Sequence, residues 1–247
     1  MSKRNNFFGS FSANVPPSIS GLVQWLRADE VVKDGSNNVS QWTDKSGVGN
    51  HCTQPGATSI QPLYVASGIN SLPSLRFVND WLLNPLVLKG SKTIFIVDKI
   101  NTISASSMLT IKFDGSTYTE FLPVNLGGYQ PRTFRHDYSA PNNGVGVADA
   151  LNTNNHLFIH TYNGGLNTSA ASYTADLDNV SKTVVSSGTC GRISTDKGSL
   201  GARVTSADVG SFFYIGDIAE IIIYNRVLTG AEQITIKTYL NSRYAIF

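Results

Sequence analysis

The chain has 247 residues, of which 41% are hydrophobic, and it carries 22 glycines and a formal net charge of +2 at pH 7. This length suffices for a full core in one domain, and short β-branched and aromatic runs between Gly, Ser, Thr and Asn residues predict an all-β fold. With 19 basic and 17 acidic residues and no Lys/Arg cluster among aromatics, nucleic-acid binding is not expected. No apolar run is long enough to cross a bilayer, which argues against membrane insertion.

Residues 1–20 differ from the rest of the chain. Phe7, Phe8 and Phe11 stand in polar surroundings and are followed by two prolines. This pattern predicts an extended N-terminal arm whose phenylalanines anchor it on a neighbouring subunit, with a fold-back onto its own domain or a disordered terminus as the alternatives. The first residues are not followed by the apolar core of a signal peptide, so synthesis and assembly in the cytoplasm are expected. The arm is expected to precede one domain at 21–247.

Strand candidates of ordinary length follow from Gly21 onward, with no linker that divides the domain. In chain order they are residues 22–28, 39–43, 74–78, 93–97, 108–113, 156–162 and 212–224. Residues 34–35, 114–115, 141–144 and 163–165 are rich in Asn, Asp and Gly, which tolerate positive φ, and are predicted to be turns. Two sheets of such strands packed face to face form a sandwich.

The C-terminal segment is predicted in most detail. Its strand is apolar on both faces and therefore belongs in the middle of a sheet. The alternation assigns Ile218, Ile222 and Tyr224 to one face and Ala219, Ile221 and Ile223 to the other. Thr229 and Glu232 have the spacing of a capping box at the start of a helix. The apolar positions of this helix, which predict that it lies flat on a core, are Ile236, Tyr239, Leu240 and Tyr244.

A resemblance to a known family rests on several segments in a fixed order. They are GLVQWLRAD at 21–29, VSQWTDKSG at 39–47, LPSLRF at 72–77, the hairpin at 162–165, and the closing residues 200–203 and 213–225. Together they resemble the concanavalin A-like, laminin-G-like jelly-roll domains, of the kind found in phage virion proteins. The resemblance implies an antiparallel two-sheet jelly-roll sandwich with a short C-terminal helix. Function does not follow, because this fold carries lectins, glycosidases, adhesion modules and viral structural proteins.

No catalytic residue is predicted, because the carboxylate pattern of glycosidases is missing. These enzymes use two carboxyl groups that face the scissile bond. The four glutamates, Glu30, Glu120, Glu220 and Glu232, belong to no closely spaced acidic run. Asp217 and Glu220 come nearest, but their odd separation on a strand predicts opposite faces. We interpret Glu220 as a structural carboxylate, with Arg203 or Arg226 as the suggested partner.

Metals and cofactors are not expected either. His156 and His160 share one face of a predicted strand, which suits a metal or acid–base chemistry, but no third ligand has suitable spacing, and a pair of hydrogen-bonded or exposed histidines is favoured. The loop carboxylates Asp34, Asp44, Asp114 and Asp178 form no calcium-ligand series. Cys52 and Cys190 are expected to be buried free thiols, and a bridge between them stays open.

These observations favour a non-catalytic virion structural protein of a bacteriophage, either a capsid decoration or a tail appendage. Its arm would bind other virion proteins, and its domain would contact host-surface glycans. A homotrimer is expected by analogy with other jelly-roll appendages. The alternatives are a cellular carbohydrate-binding or adhesion module and, more weakly, a glycan-degrading enzyme. Candidate glycan contacts are Trp81, Tyr129 and Tyr138, because aromatic rings with a polar tip suit a binding surface.

Overall fold

The computed structural model describes residues 18–104, 106, 108–112, 118–122, 132–136, 142–147, 151–164, 170–190, 197–205 and 207–247. Within them the strands are β1 Leu22–Lys33, β2 Val39–Asp44, β3 Cys52–Thr53, β4 Leu63–Ile69, β5 Leu72–Phe77, β6 Leu82–Leu83, β7 Lys92–Ile100, β8 Leu109–Lys112, β9 Tyr118–Leu122, β10 Thr133–His136, β11 Asn142–Val147, β12 Asn155–Tyr162, β13 Tyr173–Leu177, β14 Val180–Lys182, β15 Val184–Cys190, β16 Ser199–Leu200, β17 Arg203–Val204, β18 Gly210–Ser211 and β19 Gly216–Tyr224. One α-helix, α1 Gly230–Tyr244, and two 3₁₀ turns, Thr58–Ile60 and Ala170–Ser172, complete the described elements.

Strands β17 and β18 pair with each other, and the other strands form two antiparallel sheets that face each other. The first has the order β1, β19, β7, β12, β13, β14, and β5 with β4 extends it beside the start of β19. The second has the order β3, β6, β16, β8, β9, β10, β11, β15. Strand β2 pairs with both β1 and β3 and so joins the sheets. The predicted all-β sandwich is confirmed.

The sandwich core lies between the sheets. It takes alternate residues of the first sheet, such as Ile94 and Ile96 of β7 and Phe158 of β12, and Trp42 of β2. Trp42 is fully buried at the centre of the short strand β2. Cys52 is a buried free thiol in this core, and its burial raises its pKa.

The outer face of the first sheet is also buried, because α1 lies across it. The helix contributes the four predicted residues, Ile236, Tyr239, Leu240 and Tyr244. Its N-terminus has the predicted capping box, in which Thr229 Oγ1 accepts from the Glu232 amide and the Glu232 carboxylate accepts from the Thr229 amide. A sheet that is covered on both sides explains why β19 has nine buried residues and no polar face.

The faces of β19 differ from the simple alternation in one respect. Ile218 lies in the sandwich core with Ile221 and Ile223, whereas Ala219 packs under the helix with Ile222. The cause is a register shift between Ile218 and Glu220 where β19 pairs with β7. Such a bulge inserts one residue and exchanges the faces of everything before it.

All seven predicted strands are present, with shifted ends. The last begins at Gly216 rather than at 212, and the turn predicted at 141–144 instead contains the start of β11. The turn predicted at 114–115 lies outside the described residues. No helix in the described part of the chain is both long and apolar enough to span a membrane.

Candidate functional site

An open cavity of about 470 Å³ lies at one end of the first sheet, beside the C-terminus of α1. We call it the rim pocket. Its lining is Asn70, Lys99, Thr153, Asn154, Asn155, His156, Asp178, Ala245 and Ile246. These residues come from five separate places in the sequence, which the fold brings to a single rim.

Two tight hairpins supply the walls of the rim pocket. Asn70 and Ser71 connect β4 to β5 with φ values of 47° and 64°, and Asp178 and Asn179 connect β13 to β14 with φ values of 52° and 65°. Two consecutive residues with positive φ are the signature of a type I′ hairpin, and Asn and Asp tolerate this conformation better than most residues. The turn chemistry therefore places an amide and a carboxylate at the same end of the sheet.

The walls are tied together by hydrogen bonds of Asn70. Its Nδ2 donates to the carbonyl oxygens of Tyr244 and Ala245, which end α1. Its Oδ1 accepts from Asn155 Nδ2 at 2.7 Å, at the start of β12. One side chain thus links the β4–β5 hairpin, the end of the helix and the neighbouring strand.

His156 and Asp178 form a second fixed pair. His156 Nδ1 lies 2.6 Å from Asp178 Oδ2, and its Nε2 lies 2.8 Å from the side-chain oxygen of Asn152. The other Asp178 oxygen accepts from the Leu157 amide at 2.9 Å. Both ring nitrogens and both carboxylate oxygens are occupied, so these groups hold the wall in shape.

Three side chains of the rim pocket have no such partner. Lys99, Thr153 and Asn154 form no side-chain hydrogen bond or ion pair with the described residues. Beside them, Ala245 and Ile246 provide an apolar surface. The rim pocket therefore combines a charged donor, a hydroxyl, a free amide and an apolar wall.

Two other cavities lack this property. In one of about 380 Å³, Asn84 Oδ1 accepts from Gln24 and from the Leu86 amide, while Lys197 pairs with Asp208 at 2.5 Å. In one of about 340 Å³ along α1, Lys237 bonds to Asn179 and pairs with Asp176. In both cavities the lysine is therefore already paired within the fold.

The buried carboxylates are structural. Glu220 accepts from Trp25 Nε1 at 2.7 Å and from the hydroxyls of Tyr239 and Tyr244 at 2.8 and 2.9 Å, and burial raises its pKa. The suggested partners are wrong, because the bulge turns Glu220 toward the helix, while Arg226 pairs with Glu232.

Because of the bulge, the prediction that Asp217 and Glu220 lie on opposite faces of the strand is wrong. They stand opposite Lys99 and Val97, alternate residues of β7, and therefore share one face. They still form no catalytic pair, because Asp217 accepts from Ser74, Arg76 and Asn101 in a buried cluster of its own. The three cavities above contain a single carboxylate, that of Asp178.

The two strand histidines do not form a joint site. His160 is fully buried, with its ring 5.5 Å from that of Tyr173, and burial holds its pKa well below the ordinary value. Within the described ranges, no three His, Cys, Asp or Glu side chains are grouped to hold a metal ion. Of the loop carboxylates, Asp34 and Asp44 accept backbone amides of their own turns, and Asp114 lies outside the described residues.

Trp81, the one predicted binding aromatic that lies among the described residues, does not line the rim pocket. Trp81 is only 3% exposed and packs against Ala202 and Val204, so its ring faces are not open to a sugar. Tyr129 and Tyr138 lie outside the described residues, as do Phe7, Phe8 and Phe11 of the arm. Sequence reasoning missed the pocket, although the polar run Asn152, Thr153, Asn154 and Asn155 directly before an apolar strand was a visible signal.

No family model and no curated protein matches the chain. Among solved structures, it is similar to domain 4 of AbnA, a GH43 extracellular arabinanase from Geobacillus stearothermophilus, in complex with arabinotriose, with a TM-score of 0.60 and 14% identity over 87% of this chain and 97% of that one. It is also similar to Trypanosoma rangeli sialidase, with a TM-score of 0.53 and 14% identity over 91% of this chain and 33% of that one. A third similar structure is an arabinofuranosidase complexed with arabinofuranosyl-α-1,2-xylobiose, with a TM-score of 0.52 and 12% identity over 92% of this chain and 60% of that one.

At these identities the likeness shows the fold, a β-sandwich that occurs in carbohydrate-active proteins. The chain spans about a third of the sialidase and nearly all of the arabinanase domain. These findings correct the predicted function. The matching structures named above belong to glycan-acting proteins and none is described as part of a virion, so the capsid-decoration and tail-appendage interpretation is withdrawn.

Proposed function

We propose that this protein is a non-catalytic carbohydrate-binding module that holds an oligosaccharide in the rim pocket. The observation that carries the proposal is the contrast within the pocket wall. Asn70, His156 and Asp178 are locked by hydrogen bonds, whereas Thr153 and Asn154 keep their hydrogen-bonding capacity. A sugar hydroxyl both donates and accepts, and a free amide next to a free hydroxyl matches it.

The dimensions and the surface of the rim pocket support the proposal. A cavity of about 470 Å³ lies in the range of small-ligand sites, roughly 300 to 1,000 Å³. Ala245 and Ile246 offer an apolar surface to the C–H face of a sugar ring. Because Asn70, His156 and Asp178 are already fixed by hydrogen bonds, this part of the wall loses little conformational entropy when a ligand binds.

The structural likeness adds indirect support. The arabinanase domain that matches almost end to end was solved with arabinotriose bound. A fold of this kind is therefore compatible with oligosaccharide binding, while the residues that would do it in this chain are those of the rim pocket.

Binding rather than hydrolysis is favoured by the carboxylates. Both glycosidase mechanisms need two carboxyl groups about 5 to 10 Å apart on either side of the scissile bond. The rim pocket offers Asp178 alone, and its oxygens are occupied by His156 and the Leu157 amide.

A glycan array with the full chain, followed by calorimetry on the best ligands, tests the proposal. The double variant Thr153→Ala, Asn154→Ala should lower the affinity about tenfold, because each neutral hydrogen bond contributes about 0.5 to 1.5 kcal/mol. The matched control is Asn79→Ala, an exposed asparagine outside the pocket, which should bind like the parent chain. Equal affinities of parent and double variant would place the site elsewhere, and release of shorter products, followed by chromatography, would contradict a purely binding role.

A further inference from the structure

The rim pocket contains an ammonium group, that of Lys99, which forms no ion pair with the described residues. Lys99 lines the pocket, is partly exposed, and has no hydrogen bond or ion pair from its ammonium group to the described residues. A neutral sugar needs hydrogen-bonding groups but no net charge. The presence of a cation at this position therefore bears on the class of glycan.

The acidic groups near Lys99 are already compensated. Asp217, which stands opposite Lys99 in the β7–β19 pairing, is held by both guanidinium contacts of Arg76 at 3.1 Å, by Ser74 at 3.0 Å and by Asn101 at 2.7 Å. Asp98 precedes Lys99 on the opposite face of β7 and pairs with Arg132.

Asp178 is the one acidic group in the pocket wall. Its two oxygens are taken by the His156 ring and the Leu157 amide. Neither Asp178 nor Asp217 forms an ion pair with Lys99, although both lie on the same side of the molecule. The wall therefore offers Lys99 no anion at contact distance.

From this arrangement we infer that the rim pocket selects acidic saccharides, with Lys99 as the counter-charge to a carboxylate or sulfate group on the sugar. The inference rests on the proposed glycan-binding function and names its substrate class. Thr153 and Asn154 would bind the hydroxyls that flank the charged group. A lysine binds an anion as a point charge on a flexible stem, so it suits either kind of acid.

Calorimetry with matched ligand pairs tests the inference. Trigalacturonic acid is compared with its methyl ester, and 6-sulfated lactose with lactose, so that each pair shares its sugar backbone and differs in its acidic groups, and the two pairs separate carboxylate from sulfate. We expect at least one acid to bind about tenfold more tightly than its neutral partner, which is the size of one charge-assisted hydrogen bond. Raising the ionic strength should reduce this difference, because the pocket is open to solvent.

Variants of Lys99 test whether the preference for acidic saccharides depends on this residue. Lys99→Gln should remove the preference for the acid, because it should lower the affinity for the acid about tenfold more than the affinity for the neutral partner, while Lys99→Arg keeps the charge and should retain the preference. Lys33→Gln removes an exposed lysine outside the pocket and serves as the control with the same loss of charge. Thermal unfolding of each variant shows that it is folded.

The outcomes separate the two proposals. If acid and neutral forms bind equally to the parent chain, or if Lys99→Gln lowers both affinities alike, the acidic specificity is wrong and the glycan-binding function stands. If no saccharide on the array or in the calorimeter binds, both proposals are overturned.

Discussion

The carboxylate of Glu220 under α1 and the ammonium group of Lys99 in the rim pocket lie on the same face of the first sheet. Glu220 is buried and accepts hydrogen bonds from three side chains, whereas Lys99 faces a cavity and has no partner among the described residues. A buried polar group must be paired inside the protein, because leaving it unpaired is costly. A polar group that faces water carries no such cost and stays available to a ligand. The comparison separates the residues that hold the fold from those that are free to bind.

The largest effect is expected at the buried carboxylate. Glu220→Ala leaves Trp25 Nε1 and two tyrosine hydroxyls buried without their acceptor, and should lower the free energy of unfolding by about 4 kcal/mol. Chemical denaturation measures this loss. Glu220→Gln retains an acceptor oxygen and should cost clearly less, and a change below about 1 kcal/mol for the alanine variant would show that Glu220 does not fasten the helix.

Asn70 belongs to both regions, since it fixes the end of α1 and lines the rim pocket. Asn70→Ala loses the bonds to Tyr244 and Ala245 and places an alanine at a φ of 47°, so stability should fall by about 2 kcal/mol and glycan affinity should fall as well. Asn70→Gly removes the same bonds but accepts the backbone conformation, so it should be the more stable of the two. An alanine variant as stable as the parent would mean that the linkage is unimportant.

Trp81 tests whether a buried residue outside the rim pocket affects stability without affecting glycan binding. Its ring is buried against Ala202 and Val204, so Trp81→Phe should lower the free energy of unfolding by roughly 1 to 2 kcal/mol through lost packing. Glycan affinity, measured by calorimetry at a temperature where the variant is folded, should be unchanged. A selective loss of affinity would restore Trp81 as a binding residue.

The smallest expected effect is on the dependence of stability on pH. Arg226 and the Thr229 amide lower the pKa of the Glu232 carboxyl from 4.5 to about 2. Because the unfolded chain takes up this proton first, the contribution of Glu232 to stability is complete above pH 4.5 and is lost as the pH falls toward 2. Denaturation series at several pH values should therefore show a shallower acid dependence for Glu232→Gln than for the parent chain, and identical slopes would exclude this role.

Local signals account for most of the predicted fold. The apolar run at 218–224 predicted a strand buried on both faces, and the spacing of Thr229 and Glu232 predicted the helix start, because both depend on residues close in sequence. The faces of Ile218 and Ala219, however, depend on a bulge that forms only when β19 pairs with β7. The same bulge decided that Glu220 meets the helix, where Arg243 Nε lies 3.9 Å from its carboxylate, rather than Arg203 or Arg226.

By itself, the sequence determined an all-β sandwich closed by an amphipathic helix, since alternation, turn residues and caps act over a few positions. Only the tertiary structure decided where a ligand site lies. Asn70, Lys99, Asn154 and Asp178 are far apart in the chain, and they meet because two hairpin tips, the end of β7, the segment that leads into β12 and the end of α1 reach the same rim. Whether a polar side chain forms hydrogen bonds within the protein or can bind a ligand depends on its neighbours in space. The spacing of residues along the chain does not predict these neighbours.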